Sequence, residues 1–294
     1  MIDLKDLQCL SALARQKHFA RAAKECGISQ PAFSMRIRKL EDRLQTPIVK
    51  RGNRFQGLTE EGQMIVRHAR KIMDEVKAFE HEVSSTRGEI SGSLKLGVIP
   101  TALGYAGQLL IRLNREYPNI VVRIETASSL SIQQGIEDGR FEAGITYTDF
   151  ASEDFLRVEP LYDESYVLLA PERLAPRRTG EITWAEAAEM PLSLLEPGMQ
   201  NRRILDQIFE RVGAEPHVIA ETSGFTSAIV MVVEGLAASV VPSTLVESLG
   251  GFPGTVSLPL VDPVQTKSVC LVSALRETGL LTLEALRGVA TSER

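Results

Sequence analysis

The sequence predicts three parts in series: a small helical head with a β hairpin, a long linker helix, and an α/β body of two lobes. Two short apolar stripes of helical period, parted by Gly27 within residues 18–44, predict the head. A heptad run from Ile65 to Val83 predicts the linker. Strand-like and helix-like periods alternating from Ser93 onward predict the body. The expected limits are 1–58, 59–87 and 88–294; within the last, one lobe takes about 90–161 and 267–294 and the other about 162–266.

The head is defined by charge as well as period. Residues 1–58 hold 12 Lys and Arg against 5 Asp and Glu, so they carry +7; the whole chain carries −5, which leaves −12 for the remainder. A basic head on an acidic body points to local binding of a polyanion. Residues 3–16 are expected to form an amphipathic helix with Leu4, Leu7, Leu10 and Ala14 inward. Phe19, Ala22, Ala23 and Cys26 give the next helix its stripe, and Gly27 ends it. Ser29 is a good N-cap for the third helix, and Pro31 falls in its first turn, where a missing N–H costs nothing. Phe33, Ile37, Leu40 and Leu44 form its buried stripe. Opposite them lie Pro31, Ser34, Met35 and Arg38, with Gln30 at the tip. Such a face suits the major groove of DNA: Gln pairs with adenine, Ser donates or accepts, and Arg reaches guanine or phosphate. Its bland counterpart is a helical hairpin with a solvated basic face. Residues 47–58 read as a hairpin turning at Gly52-Asn53, with Lys50, Arg51 and Arg54 at the tip, as in the wing of a winged helix-turn-helix that lies along the DNA backbone.

Thr59 is expected to cap a helix running to about Arg87, with Glu60 and Glu61 in its first turn. Its seam (Ile65, Ala69, Ile72, Val76, Phe79, Val83) has nothing in its own domain to cover it, which implies a partner helix from a second copy; the alternative is packing on its own domain. Gly88 and Gly92 end the helix as a hinge. Strands are expected in 93–99, 119–126 and 142–147, with helices at about 102–116 and 131–138, a βαβαβ unit with a parallel sheet and helices on its faces. A strand at about 165–170 leads into a second series: PLSLL, a helix over 201–212, HVIAE, a helix over 223–234, AASVVP, a strand near 267–273 and a terminal helix.

In such sheets ligands sit beyond the carboxyl ends of strands, against helix N-termini. That rule selects Thr101, Ser128, Ser129, Thr146 and Tyr147 in one lobe, and Met199, Gln200, Asn201, Thr222 and Ser223 in the other. Together they suit a small organic or inorganic anion. Taken singly, each is explained by ordinary helix capping. Arg202 and Arg203 either add charge to that site or form a solvated face. No catalytic or metal-binding pattern appears: His18, His68, His81 and His217 make no H-E-x-x-H pair, and there is no G-x-S-x-G elbow, P-loop or G-x-G-x-x-G. No cofactor is expected. Cys9, Cys26 and Cys270 have no C-x-x-C spacing and read as reduced core residues; with Cys270 alone in the body, a paired-cysteine switch there is excluded. No apolar run approaches a membrane span, and the N-terminus lacks signal-peptide character, so a cytoplasmic protein without membrane partners is expected.

Residues 18–62 resemble the LysR-type transcriptional regulators. Ala22-Ala23, Ser29-Gln30-Pro31-Ala32, Ser34, Leu40-Glu41, Leu44, Arg51 and Leu58-Thr59 with Gly62 carry the resemblance. It continues through Leu96-Gly97-Val98, Tyr117-Pro118, Gly139 with Ala143-Gly144-Ile145, and Val233-Glu234-Gly235-Leu236-Ala237 with Pro242. The resemblance implies a winged helix-turn-helix, a dimerising linker helix and a periplasmic-binding-protein-like effector domain, assembled as a homodimer and further as a homotetramer. It implies binding to double-stranded, inverted-repeat operator DNA, with bending changed by a small metabolite; RNA polymerase is a further candidate partner. By position, Gln30, Pro31, Ser34 and Arg38 fall where family members contact DNA, and Thr101, Ser129, Tyr147, Gln200 and Asn201 where they contact effectors. His18, where a Ser cap is usual, Val49 ahead of the wing and Cys26 depart from the pattern. The rival to a regulator is a small-molecule-binding protein or enzyme with an N-terminal helical adaptor, against which the missing catalytic constellation counts.

Overall fold

The computed structural model describes residues 2–50, 55–85, 90–152, 154, 156–175, 180–275 and 279–292. The head is built from α1 (Leu4–Gln16), α2 (Phe19–Glu25) and α3 (Gln30–Leu44). Asp3 caps α1 in a reciprocal capping box with Asp6. Leu7, Leu10 and Ala14 turn inward as expected, together with Cys9 and Leu13. Leu4 does not: it stands exposed at the first position of the helix, short of the turn that packs. Gly27 takes φ +67°, the left-handed turn between α2 and α3. His18 precedes α2 without any side-chain cap, whereas Ser29 Oγ accepts from Ala32 N at 3.4 Å. Phe33, Ile37 and Leu40 are fully buried and Leu44 half-buried.

An ion-pair cluster fixes the back of α3. Asp6, buried on α1, accepts from Arg36 Nη1 at 2.7 Å and from Arg43 Nη1 at 2.9 Å. Glu41, near the end of α3, accepts the N–H groups of Ile48 and Val49 at 2.8 and 3.0 Å. This holds the base of the wing, where Val49 bridges Leu58 and Lys50 N donates to Gly57 O at 3.0 Å. The expected Gly52-Asn53 turn, Arg51, Arg54 and Gly88 lie outside the described residues.

The long helix α4 spans Glu60–Ser85, and Gly62 N donates to Thr59 Oγ1 at 2.8 Å. Gly62 is required by close approach, since a Cβ there would meet Ile48 O at 2.2 Å. The seam corrects the expectation in part. Ala69, with Val66, is buried in the head's own core, and Ile65 leans on it, because the first half of α4 packs along α1. The second half matches the uncovered seam: Ile72, Phe79 and Val83 are 46, 65 and 48% exposed.

The body opens with β1 (Gly92–Val98), α5 (Leu103–Glu116), β2 (Ile120–Thr126), α6 (Ser129–Glu137) and β3 (Ala143–Tyr147). β1 runs parallel to both β2 and β3, the expected βαβαβ unit. The next strand, β4, covers Leu156–Pro171, far longer than the expected 165–170. After it come β5 (Ile182–Thr183), α7 (Trp184–Ala188), β6 (Leu192–Leu195), α8 (Gln200–Arg211), β7 (Val218–Thr222) and α9 (Phe225–Val233). The chain closes with β8 (Ser239–Pro242), α10 (Ser243–Ser248), β9 (Thr255–Val261), β10 (Thr266–Ala274) and α11 (Leu281–Thr291). One path of neighbours, β2-β1-β3-β10-β4-β9-β5, runs through the body, and β6 pairs β7 in a separate parallel pair. β4 is long because its first half pairs β10 and its second half pairs β8 and β9. β5, α7, α10 and β9 were not expected from the sequence. No helix of the described residues is long and apolar enough to cross a membrane.

Candidate functional site

On the head, Ser29, Gln30, Pro31, Met35, Arg38 and Lys50 are exposed and Ser34 half-buried, all but Lys50 on one outward face of α3. Two other basic residues of α3 are not available in the same way, since Arg36 and Arg43 are engaged by Asp6. Helical period already sets Arg38 opposite the buried stripe and these two arginines beside it; it could not show that Asp6 on α1 engages them.

The body holds a cleft of about 560 Å³ where the ends of β1 and β3 face α8. Of the selected residues, Thr101, Ser128, Ser129, Tyr147, Met199, Gln200 and Asn201 line it. Thr146, Thr222 and Ser223 do not. Thr146 neighbours Tyr147 on a strand, so its side chain points to the other face. Thr222 Oγ1 is spent on Gly224 O at 3.1 Å and Leu194 O at 3.5 Å. Arg203 reaches the cleft and donates to Gly198 O at 2.8 Å. Arg202 is turned inward, held by Asp206 at 2.7 Å, Glu221 at 2.9 Å and Leu195 O at 2.9 Å. Sequence reasoning missed the apolar walls, including Ile99, Leu130, Phe150 and Leu195.

Two helix ends meet in this cleft. Ser128 caps α6, its Oγ accepting from Ser131 N at 3.2 Å, so Ser129 lies inside the first turn rather than ahead of the helix. α8 begins at Gln200, and Met199 ahead of it gives no side-chain cap, leaving first-turn N–H groups at the cavity. Beside them Ser129 Oγ and both amide atoms of Asn201 are buried with no hydrogen-bond partner among the described residues, the residues being 3 and 4% exposed. Buried polar atoms without partners cost about 1–3 kcal/mol each, so a ligand that satisfies them is favoured.

Behind the wall lies a group with no sequence signature. Glu164 on β4 is fully buried; Tyr147 Oη donates to its Oε1 at 2.9 Å, and Thr101 Oγ1 lies 3.1 Å from the same hydroxyl. Burial pushes the Glu164 carboxyl up to about 7 and raises the Tyr147, Tyr162 and Tyr166 phenols. Cys270 is buried on β10, its thiol donating to Thr146 O at 3.5 Å and pushed up to about 11 by burial. Burial likewise holds the Cys9 thiol up at about 12.

A helix-turn-helix head joined by one long helix to a two-lobed body with a ligand cleft defines a DNA-binding regulator that answers to a small molecule. Residues 4–63 match the bacterial regulatory helix-turn-helix protein, lysR family, and residues 87–293 match the LysR substrate binding domain. The chain belongs to the LysR family of bacterial transcriptional regulators. It is similar to the DNA-binding transcriptional dual regulator OxyR of Escherichia coli K12, 30% identical over 293 residues, covering 97% of this chain and 95% of the relative. Among solved structures it resembles a full-length OxyR cysteine variant from Pseudomonas aeruginosa, with a TM-score of 0.75, 26% identity, and 99 and 95% of the two chains covered. Full-length CbnR complexed with its target DNA shares the fold at a TM-score of 0.63 and 18% identity, over 98 and 99% of the chains.

Proposed function

We propose that this regulator is switched by an organic anion with an apolar portion, held in the cleft between the first turns of α6 and α8. The carrying observation is the set of unpartnered buried polar atoms on Ser129 and Asn201, set among apolar walls at two helix N-termini. A bare inorganic oxyanion would leave most of the roughly 560 Å³ and its apolar lining unused. Several relatives are named for hydrogen peroxide. A peroxide-sensing thiol pair is not supported in this body, where Cys270 is the single cysteine, buried, and held protonated. A thermal-shift screen of the full chain against organic acids tests the reading. A ligand at 100 times its Kd stabilises by about 2.7 kcal/mol. Thr101→Val or Ser129→Val should abolish that shift while leaving DNA binding intact; an unchanged shift in both would remove the cleft assignment.

On the DNA side, Gln30, Ser34 and Arg38 read the major groove, and Lys50 with the wing lies along the backbone. Arg38→Ala should weaken binding to sites selected from a random DNA pool by about 1–3 kcal/mol, measured by gel shift. An unaltered site affinity would remove α3 from the interface.

The route from cleft to head is α6 itself. Its first turn lines the cleft, and its other end is gripped by the linker: Arg70 Nη1 donates to Glu137 O at 2.6 Å and Arg70 Nη2 to Asp138 Oδ1 at 3.1 Å. The guanidinium sits at the negative end of the helix dipole. Nine residues separate the two ends by about 13 Å. Arg70→Ala should keep operator affinity in the unliganded protein and reduce the ligand-dependent change in it by about 1–2 kcal/mol of coupling. The same ligand response in the variant would exclude this route.

A further inference from the structure

We propose that Glu164, Tyr147 and Thr101 form a proton-set hydrogen-bond relay that makes the cleft accept an anion only when Glu164 is protonated. The inference rests on the anion reading of the cleft and deepens it.

The two states of Glu164 differ by one hydrogen. Thr101 and Tyr147 stand in the cleft wall. Behind them Tyr147 Oη donates to Glu164 Oε1 at 2.9 Å, with Thr101 Oγ1 3.1 Å from that hydroxyl. With Glu164 ionised, two hydroxyl hydrogens serve a carboxylate that can only accept, and both are drawn inward. The wall then shows the cleft lone pairs, which repel an anion. With Glu164 neutral, the same three groups share three hydrogens. The carboxyl hydrogen goes to Tyr147 or Thr101, and one hydroxyl hydrogen is released to the cleft. An anion in the cleft therefore favours proton uptake by Glu164.

The surroundings leave the carboxyl free to act this way. No cation acts on it among the described residues, and its Oε2 finds no partner there. β3 contributes Tyr147, and β4 contributes Tyr162 and Tyr166, all three uncharged phenols. From β10, the cross-strand neighbour Lys267 is drawn off to Asp149 at 2.6 Å. α10 packs on this strand; its Ser243 pairs with Ser165, Thr244 bears on Tyr162, and its one acid, Glu247, is exposed. Burial, offset in part by the hydroxyl neighbours Tyr147, Thr101 and Tyr166, moves Glu164 to about 7, within the range a cell presents.

The test uses the full chain, Glu164→Gln and Thr101→Val. Infrared spectra between about pH 5 and about pH 8.5 should show a buried-carboxyl C=O band that titrates in wild type and in Thr101→Val, and is missing from Glu164→Gln. Calorimetry with benzoate, hexanoate and succinate, in two buffers of different ionisation enthalpy, should show up to about one proton taken up per anion bound above the Glu164 transition. Over that range affinity should fall about tenfold per pH unit. In Glu164→Gln uptake should vanish and affinity should become flat with pH; Thr101→Val, which no longer binds the anions, should keep the band. A wild type without the infrared band, or a Glu164→Gln variant with undiminished uptake, overturns the relay and leaves the cleft standing. Failure of all three anions to bind at any pH overturns the anion cleft and the relay with it.

Discussion

Phe79→Asp will halve the mass of the assembly in solution and collapse its operator affinity. Phe79 is 65% exposed on the second half of α4, between Ile72 and Val83, which are 46 and 48% exposed on the same heptad face. A large aromatic left uncovered within such a row is the signature of a partner helix. In a two-fold seam the substitution counts twice. Two phenyl rings lose burial worth roughly 1.5–3 kcal/mol each, and two carboxylates are brought together in their place. A loss of about 4 kcal/mol or more raises the dissociation constant of that contact roughly a thousandfold. The two heads then bind DNA independently and lose the effective-concentration gain of about 10²–10⁴. Sedimentation measures the mass, and gel shift on a two-half-site DNA measures the affinity. The head itself stays folded, because its part of α4 is the other half, where Val66 and Ala69 pack on α1. An unchanged mass would mean that the seam is not where copies meet.

That division of α4 shows what a one-dimensional pattern conveys. The heptad run from Ile65 to Val83 was readable as one continuous seam, but a period does not say which neighbour covers each turn. Stripes whose burial is decided inside one helix hairpin, such as Phe33, Ile37 and Leu40, were legible in full. The cleft was legible through the rule that ligands sit beyond strand ends, which placed Ser128, Ser129, Gln200 and Asn201 correctly at its wall. The same rule failed at Thr146 because adjacent strand residues face opposite ways, and parity has to be counted from a partner strand. β4 was read short because Glu159-Pro160 and Asp163-Glu164 interrupt its apolar period. Glu164 itself carried no mark. Its partners lie 17 residues away at Tyr147 and 63 residues away at Thr101, and only the closed fold brings them within hydrogen-bond reach.

Glu164→Gln will stabilise the protein at alkaline pH and leave it almost unchanged in acid. The carboxyl's ordinary value of 4.5 rises to about 7 in the fold. Between those values the folded chain holds a proton that the unfolded chain has lost, so stability falls as pH rises through this window. Above about pH 7 the whole deficit is present; below about pH 4.5 it is absent, because both states are then protonated. The gap corresponds to roughly 3 kcal/mol. Glutamine is close in shape, carries no charge at any pH, and can still donate to or accept from Tyr147. At about pH 8 the variant should therefore gain most of those roughly 3 kcal/mol, or about 5–10 °C in Tm for a body of this size. Urea melts of both proteins at about pH 5 and about pH 8 measure the difference. A gain that is equal at the two pH values would assign the effect to packing. A loss at pH 8 would mean that the ionised carboxylate is stabilised in the fold by its hydroxyl neighbours, contrary to the burial that dominates at this site.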